Sequence, residues 1–515
     1  MRVTAAAVAA SLLLAACAAA SGGRPVIDAP APPQPALRHL RILHLNDVAD
    51  FENGPDGAGL LRAASVVRAA RGELPRVLVT GGGDLLALSP ASLVLDAAPI
   101  AAAWRALGLD VATPGDRDLG LPPALLAARA RDTGARWLTA NVTDGGRPCC
   151  GAAAWTVVDV GGVRVGVTGV TGENAGRAAG SGLDVGDPVA AARDAVAALR
   201  VEGAEVVVLL AHGEAPLLEL LGHAARPDLV LGGHEGTPVS THAGTATVVR
   251  AAGGARDVVQ VDLWLTDTGR IAARDVRFLP VLGAPADPAL LEVADRAAAA
   301  MAQAPPVGTA AIPLDARPDA FAAGEAPLGN LLADLARRAT RADAALVDAG
   351  SVAPRFVEPG PIPATWPIEL LPDLGPLAVL EVAGADLAAV LEHALVWLPA
   401  PATRFLHLSG VAVHYDPAAR PGERLRSVTV GGAPLDPERR YRVAATGRIA
   451  AGGDGYGWLM AARRLASLDV TPRLAALLVS RLRSDEPLAP VVEGRIVADQ
   501  SSGRITRPVG SLGAK

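Results

Sequence analysis

The chain is poor in cysteine, aromatics and lysine. It has three Cys among 515 residues, aromatics make up only 3%, and Lys515 is the one lysine beside a large arginine complement. Three cysteines, two of them adjacent at Cys149 and Cys150, supply neither a disulfide framework nor a CxxC or Cys/His metal spacing. No Lys/Arg-rich run occurs and the formal net charge is −6. The chain therefore lacks the phosphate-neutralising field that nucleic-acid binding requires, and no nucleic-acid partner is expected. Beyond the N-terminus no stretch reaches about 18 uninterrupted apolar residues, the length a membrane-spanning helix needs. What is present is a chain half apolar and 19% charged. Its hydrophobicity is carried by Ala, Leu and Val, enough for sizeable cores in two or three domains and incompatible with disorder over most of its length.

The first residues read as an address. Met1-Arg2 is a short basic region, Ala5 to Leu14 is apolar, and Leu14-Ala15-Ala16-Cys17 sets a cysteine directly after small residues. The pattern resembles a bacterial lipobox, which implies Cys17 as an acylated mature N-terminus and a membrane partner reached through the lipid anchor. Ala18 in place of Asp points to the outer membrane, so the expected location is the bacterial cell envelope, facing the periplasm. An ordinary cleaved signal with an incidental Cys is the alternative. Residues 18–37, rich in Pro, Ala and Gly, form a tether. Cys149 and Cys150, after the turn Gly145-Gly146-Arg147-Pro148, read as a structural pair in a loop.

From residue 39 short β-rich runs alternate with Ala/Leu helical stretches. Strands are expected at Leu40–Leu45, Arg76–Thr80, Trp137–Val142, Arg164–Val170, Glu205–Leu210 and Asp228–Leu231, and helices at Leu61–Arg71, Pro122–Arg131 and Ala190–Val201. This alternation predicts an α/β fold. Asp47, Asp84, His212 and His234 each fall just after a strand, two of them, Asp84 and His234, behind glycines. In open α/β sheets the carboxyl ends of the strands are where ligands bind. Any one of these residues alone would serve equally well as a helix cap or a satisfied core histidine.

The segments Ile42-Leu43-His44-Leu45-Asn46-Asp47, Gly82-Gly83-Asp84 with Ser89-Pro90, Gly115-Asp116-Arg117-Asp118, Ala140-Asn141-Val142, Leu210-Ala211-His212-Gly213 and Gly232-Gly233-His234-Glu235-Gly236-Thr237 occur in that order. Further on stand Gly324-Glu325-Ala326-Pro327-Leu328-Gly329-Asn330-Leu331-Leu332-Ala333-Asp334, Phe405-Leu406-His407-Leu408-Ser409-Gly410 and Gly452-Gly453-Asp454-Gly455-Tyr456. Together they resemble the bacterial 5′-nucleotidase family. The resemblance implies a calcineurin-like metallophosphoesterase sandwich over residues 38–285, an interdomain helix and linker over 286–310, a smaller α/β C-terminal domain over 311–500 and a tail over 501–515.

The resemblance also implies a metal site and shows where this chain departs from the pattern. Carried over residue by residue, Asp84, Asp116, His212 and His234 form one metal site, with Asp116 where the family has Asn. Asp47 and Asp84 are what remains of a second site. That site lacks two imidazoles, because the family's Asp-x-His reads Asp47-Val48-Ala49 and its Gly-His-x-His reads Gly233-His234-Glu235-Gly236. Asp50 and Glu235 are either replacement ligands or solvated loop charges. A carboxylate and imidazole set of this kind suits a divalent transition metal (Mn, Fe or Zn), one per chain. Arg117 replaces the family's catalytic His. It would either grip a phosphoryl oxygen bidentately or pair with Asp116 or Asp118. The two aromatic positions that sandwich a nucleobase read Asp373 and Arg448, leaving Arg355, Arg448 and Asp454 as candidate substrate-binding residues. The implied function is metal-dependent hydrolysis of a phosphate-containing small molecule with weakened nucleobase recognition. The alternative is a catalytically inactive envelope lipoprotein that keeps the fold as a binding or scaffold module.

Overall fold

The computed structural model describes residues 37–499 apart from 53–56, 88, 173–181, 235–236, 373–374 and 466–472. The lipobox and tether therefore lie outside the described residues, as do Glu235 and Asp373.

The N-terminal half is a sandwich of two six-stranded sheets. In the first, Arg38–Leu45, Val77–Gly81, Val111–Ala112 and Arg136–Trp137 run parallel in that order, and Asp257–Leu265 and Ile271–Pro280 extend the edge beside Arg38–Leu45 in antiparallel fashion. In the second, Arg164–Thr171, Val206–His212, Leu229–Gly233 and Ala246–Arg250 are parallel neighbours, with Trp155–Asp159 and Val239–Ala243 as antiparallel edges. Strands of both sheets contribute Leu40, Ile42, Val261, Val165, Val208 and Leu231 to one apolar layer, which is what glues the sheets face to face. Alternate residues of the same strands point outward and are covered by helices. Leu60–Glu73, Ala98–Leu107, Pro123–Thr133 and Pro288–Ala302 cover the first sheet, and Pro188–Val201 and Ala215–Ala225 the second. Because both faces are buried, these strands read as continuous Val/Leu runs, the pattern expected of central parallel strands.

Two sequence expectations change. The single strand expected over Trp137–Val142 is broken into Arg136–Trp137 and Val142–Asp144. Between them Asn141 turns its amide onto the Thr171 and Gly186 carbonyls at 2.7 and 3.0 Å, and Thr139 Oγ1 accepts the Val142 N–H at 3.1 Å. Side-chain bonds of this kind compete with the ladder and end it. The long hairpin Asp257–Pro280, absent from the expected strands, closes the first sheet, its register held where Arg41 faces Asp262 with Nε and Oδ1 2.8 Å apart.

The C-terminal half is built on a five-stranded sheet in the order Leu406–Ser409, Ala344–Asp348, Arg440–Ala445, Ala378–Ala383, Arg463–Arg464. Pro327–Thr340 covers one face and Gly384–Leu395 the other. Its centre is a histidine in an aromatic clamp. The His407 ring lies 4.1 Å from the Phe321 ring and 5.2 Å from the Phe405 ring, with Nε2 2.9 Å from the Phe321 carbonyl. Gly329 packs so closely beneath it that a Cβ there would stand 2.0 Å from His407 Nδ1. The two halves meet where Arg483 donates to the Leu93 carbonyl at 2.8 Å and pairs with Asp96 at 2.9 Å, on the segment that follows Asp84. No helix among the described residues is long and apolar enough to cross a membrane.

Candidate metal centre

The parallel strands of both sheets end at the same rim, and the loops leaving them carry the expected residues. Asp47 follows Arg38–Leu45, Asp84 follows Val77–Gly81, His212 ends Val206–His212 and His234 follows Leu229–Gly233. Three of these four are non-glycine residues with positive φ, 54° at Asp47, 57° at Asp84 and 117° at His234. Each such conformation costs on the order of 1–3 kcal/mol and persists only where the surroundings impose it, as at functional sites. Glycines allow the close approach of the loops. A Cβ on Gly83 would lie 2.4 Å from His212 Nδ1, and one on Gly115 2.1 Å from Asp84 Oδ1.

One ligand atom each from Asp47, Asp84, His212 and His234 lie mutually within 4.8 Å. Asp116 joins them, its Oδ1 2.8 Å from His212 Nε2 and 3.5 Å from His234 Nδ1. His212 Nδ1 is 3.0 Å from the Gly82 carbonyl, which can only accept, so this nitrogen carries a proton and Nε2 is the atom turned to the centre. His234 Nδ1 is 3.1 Å from His212 Nε2. Asp47, set by the sequence reading in a second site with Asp84, lies in the same cluster as the two imidazoles, and its Oδ2 accepts the His234 N–H at 2.8 Å.

The electrostatics follow from burying acids beside imidazoles. Burial alone would raise the Asp84 carboxyl, but His212 and Arg117 beside it hold it well below the usual carboxylate range. Burial opposes charge on His212, and the Asp84 carboxylate together with the bond to Asp116 overcomes it and raises the ring well above the ordinary imidazole value. Asp116 is pushed up by burial and by the neighbouring Asp84.

Arg117 forms neither of the two pairs considered from sequence. Among the described residues it pairs with Asp84, Nε lying 3.2 Å from Oδ2, while its backbone N–H donates to Asp84 Oδ1 at 2.9 Å. Asp118 is occupied elsewhere, accepting the N–H groups of Leu85, Leu86, Ala87 and Gly115 at 2.8 to 3.3 Å. Burial pushes its carboxyl up to about 6. Asp118 and Trp104, whose Nε1 donates to the Leu85 carbonyl at 2.7 Å, position the Asp84 loop. Sequence reading gave Trp104 no role and considered Asp118 only as a partner for Arg117. The acid three residues after Gly115 was the available signal for Asp118, whereas nothing in sequence distinguishes Trp104 from a core residue. Asp50 is not in the ligand group. Its carboxylate accepts the Phe51 N–H at 3.0 Å, and burial pushes it up to about 6.

The three candidate substrate residues make their bonds within the C-terminal half. Arg448 bridges Asp348 and Asp454 at 2.9 and 2.8 Å, so its guanidinium is held between two acids. Asp348 is fully buried and also accepts from Ser351 Oγ at 2.8 Å and from Thr446. Arg355 is exposed and pairs with Glu369 at 3.3 Å.

The donor set fits a divalent ion. Two imidazoles and two carboxylates offer ligand atoms mutually within 4.8 Å, all buried or nearly so, and beside the imidazoles Asp116 Oδ2 is buried without a hydrogen-bond partner, which is costly unless a ligand completes it.

Comparison with known proteins bears on the fold. A family model described as the 5′-nucleotidase C-terminal domain matches residues 306–461. A 5′-nucleotidase precursor from Thermus thermophilus superposes with a TM-score of 0.52 at 24% identity, covering 90% of this chain and 100% of the other. A Haemophilus influenzae NAD nucleotidase superposes with a TM-score of 0.72 at 16% identity over the same shares. A Thermus thermophilus sulfate thiohydrolase superposes with a TM-score of 0.51 at 20% identity, covering 93% of this chain and 99% of the other. A snake venom 5′-nucleotidase from Naja atra is 29% identical over 142 residues, and the match spans 26% of each chain. The protein therefore carries the two-domain fold of the 5′-nucleotidases, a metallophosphoesterase sandwich followed by a 5′-nucleotidase C-terminal domain.

Proposed function

We propose that the protein is a phosphoester hydrolase that works with one divalent transition metal held by Asp47, Asp84, Asp116, His212 and His234. The observation that carries this reading is the convergence of carboxylate and imidazole ligand atoms at the shared rim of the two sheets. Oxygen and imidazole donors in this mixture suit Mn, Fe or Zn. When bound, the ion would supply Lewis-acid polarisation of a phosphoryl oxygen and a water of lowered pKa. The chain's own groups do the rest. The Gly82 carbonyl fixes the His212 tautomer, and the Asp118 bonds hold the loop that aims Asp84. Arg117, with 15% of its side chain exposed, places a positive charge beside the ligands, where it would favour a bound phosphate. It cannot serve as the general acid that an imidazole would be, because guanidinium stays protonated.

The substrate is a phosphate-containing small molecule for which a nucleobase adds little. The Arg448 position carries no ring and its guanidinium is committed to Asp348 and Asp454. Phe356 lies under Arg317, whose guanidinium carbon is 4.4 Å from the ring centre, and Tyr456 is fully buried with its hydroxyl on the Arg404 carbonyl. Stacking contributes about 1–3 kcal/mol per base where platforms exist. Steady-state kinetics should therefore show kcat/KM for AMP within about a hundredfold of that for a simple alkyl phosphate, or ~2.7 kcal/mol of transition-state discrimination. A larger preference would reveal a base platform and overturn this reading of the pocket. A second reading, a non-catalytic binding module, draws on the Arg117–Asp84 pair, which engages an acid the chemistry needs. Absence of turnover on a broad phosphoester panel by metal-loaded protein would favour it.

The envelope location rests on Cys17 and is proposed with the function. Native protein should partition with membranes and release an acylated N-terminal peptide. Cys17→Ser should abolish acylation while leaving the thermal midpoint of the folded domains unchanged. An unmodified Cys17 in a periplasmic fraction would refute the anchor.

A further inference from the structure

We infer that Arg117 stands in for a second cation at Asp84 and thereby holds the centre to a single divalent ion. This rests on the proposed metal-binding reading of the cluster. Asp84 is the residue through which two ions would have to be bridged, and both of its oxygens already meet Arg117. Oδ1 accepts the Arg117 backbone N–H at 2.9 Å, and Oδ2 faces the guanidinium Nε at 3.2 Å and His212 Nε2 at 3.5 Å. A further cation at Oδ2 meets a guanidinium already in place.

Charge counting points the same way. Asp47, Asp84 and Asp116 bring three carboxylates to a buried point, while Asp118 is compensated by the four backbone N–H groups it accepts. Among the described groups, three carboxylates, one guanidinium and one divalent ion sum to zero. A second ion would add two positive charges to that set, an arrangement that low-dielectric surroundings penalise. The positions that would hold such an ion offer no side-chain donor at Ala49 or Gly236.

The test compares the wild-type chain with Arg117→Met, which keeps length and loses charge, and Arg117→Lys, which keeps charge. Three readouts are used: the thermal midpoint in chelator, the midpoint gain on adding Mn²⁺, and Mn²⁺ affinity and stoichiometry by calorimetry and elemental analysis. In chelator, Arg117→Met should melt several degrees lower than wild type, and Arg117→Lys should recover most of the loss. Arg117→Met should gain more from Mn²⁺ than wild type and bind it about tenfold more tightly or better, because a like charge has left the site. Wild type should hold one ion. Two tightly held ions in wild type would overturn the inference. So would an Arg117→Met protein with wild-type midpoint and affinity, or an Arg117→Lys protein no better than Arg117→Met. If wild type and His212→Ala bind no Mn²⁺ alike, it is the metal reading that fails. The chelator comparison contains no ion and still decides whether Arg117 is the counter-charge of Asp84.

Discussion

His212→Ala should cost the protein its metal. Elemental analysis is expected to fall from about one ion per chain to near none, and the Mn²⁺ dissociation constant to weaken by about a hundredfold or more, ~2.7 kcal/mol. The size of the effect follows from the position of the ring. Its Nδ1 is tied to the Gly82 carbonyl, and its Nε2 lies 2.8 Å from Asp116, 3.5 Å from Asp84 and 3.1 Å from His234. Truncation removes a ligand, and in the metal-free protein it also removes the group that separates two buried acids. Phosphoester turnover should fall in parallel with occupancy and should not return at saturating substrate. An Ala variant that retained its ion at wild-type affinity would show that the ion is bound elsewhere.

The second large effect is on stability and is felt at the same loop. Trp104 is fully buried under the first sheet, and its indole N–H holds the Leu85 carbonyl at 2.7 Å, one residue beyond Asp84. Trp104→Ala should destabilise the N-terminal domain by about 3–5 kcal/mol, the range for deleting a large buried aromatic. Trp104→Phe, which fills most of the volume but leaves a buried carbonyl unpaired, should cost about 1–3 kcal/mol. Urea midpoints measure both. At temperatures where Trp104→Phe remains folded, its metal affinity should also be weaker than wild type, because the Asp84 loop has lost an anchor. A stability loss below ~1 kcal/mol in Trp104→Ala would show that this side of the core is able to collapse.

The layered fold was legible because its strands are buried on both faces and bounded by glycine. Runs such as Val206–His212 and Leu229–Gly233 announce themselves, and the ligands lie at their ends. The hairpin Asp257–Pro280 was not legible, since its outer strand is only partly buried and charged at Arg274, Asp275 and Arg277. Side-chain to backbone bonds broke the expected strand at Asn141. In the site, residue types could be read but pairings could not. Arg117 was considered with its sequence neighbours, whereas its partner arrives from another strand end 33 positions earlier. Arg448 was considered as an anion receptor, yet two acids at 348 and 454 meet it in space. Local sequence carries no information about partners brought by topology.

The clamp around His407 bears on what descent can report about this chain. Gly329, His407 and Phe405 lie within the residues that match the 5′-nucleotidase C-terminal domain, as does Phe321, which supplies the other wall. Gly329 admits no side chain against the imidazole. Beside them, Asn330 joins Glu325 to the Val491 carbonyl, and Ser409 joins Arg337 to Asp334. These residues hold the domain together and touch none of the metal ligands. Selection for a foldable C-terminal domain would preserve them in a lineage that hydrolyses phosphoesters and equally in one that has abandoned hydrolysis. The fold of the protein is therefore written in this scaffold, while what it does is written in the few residues around Asp84.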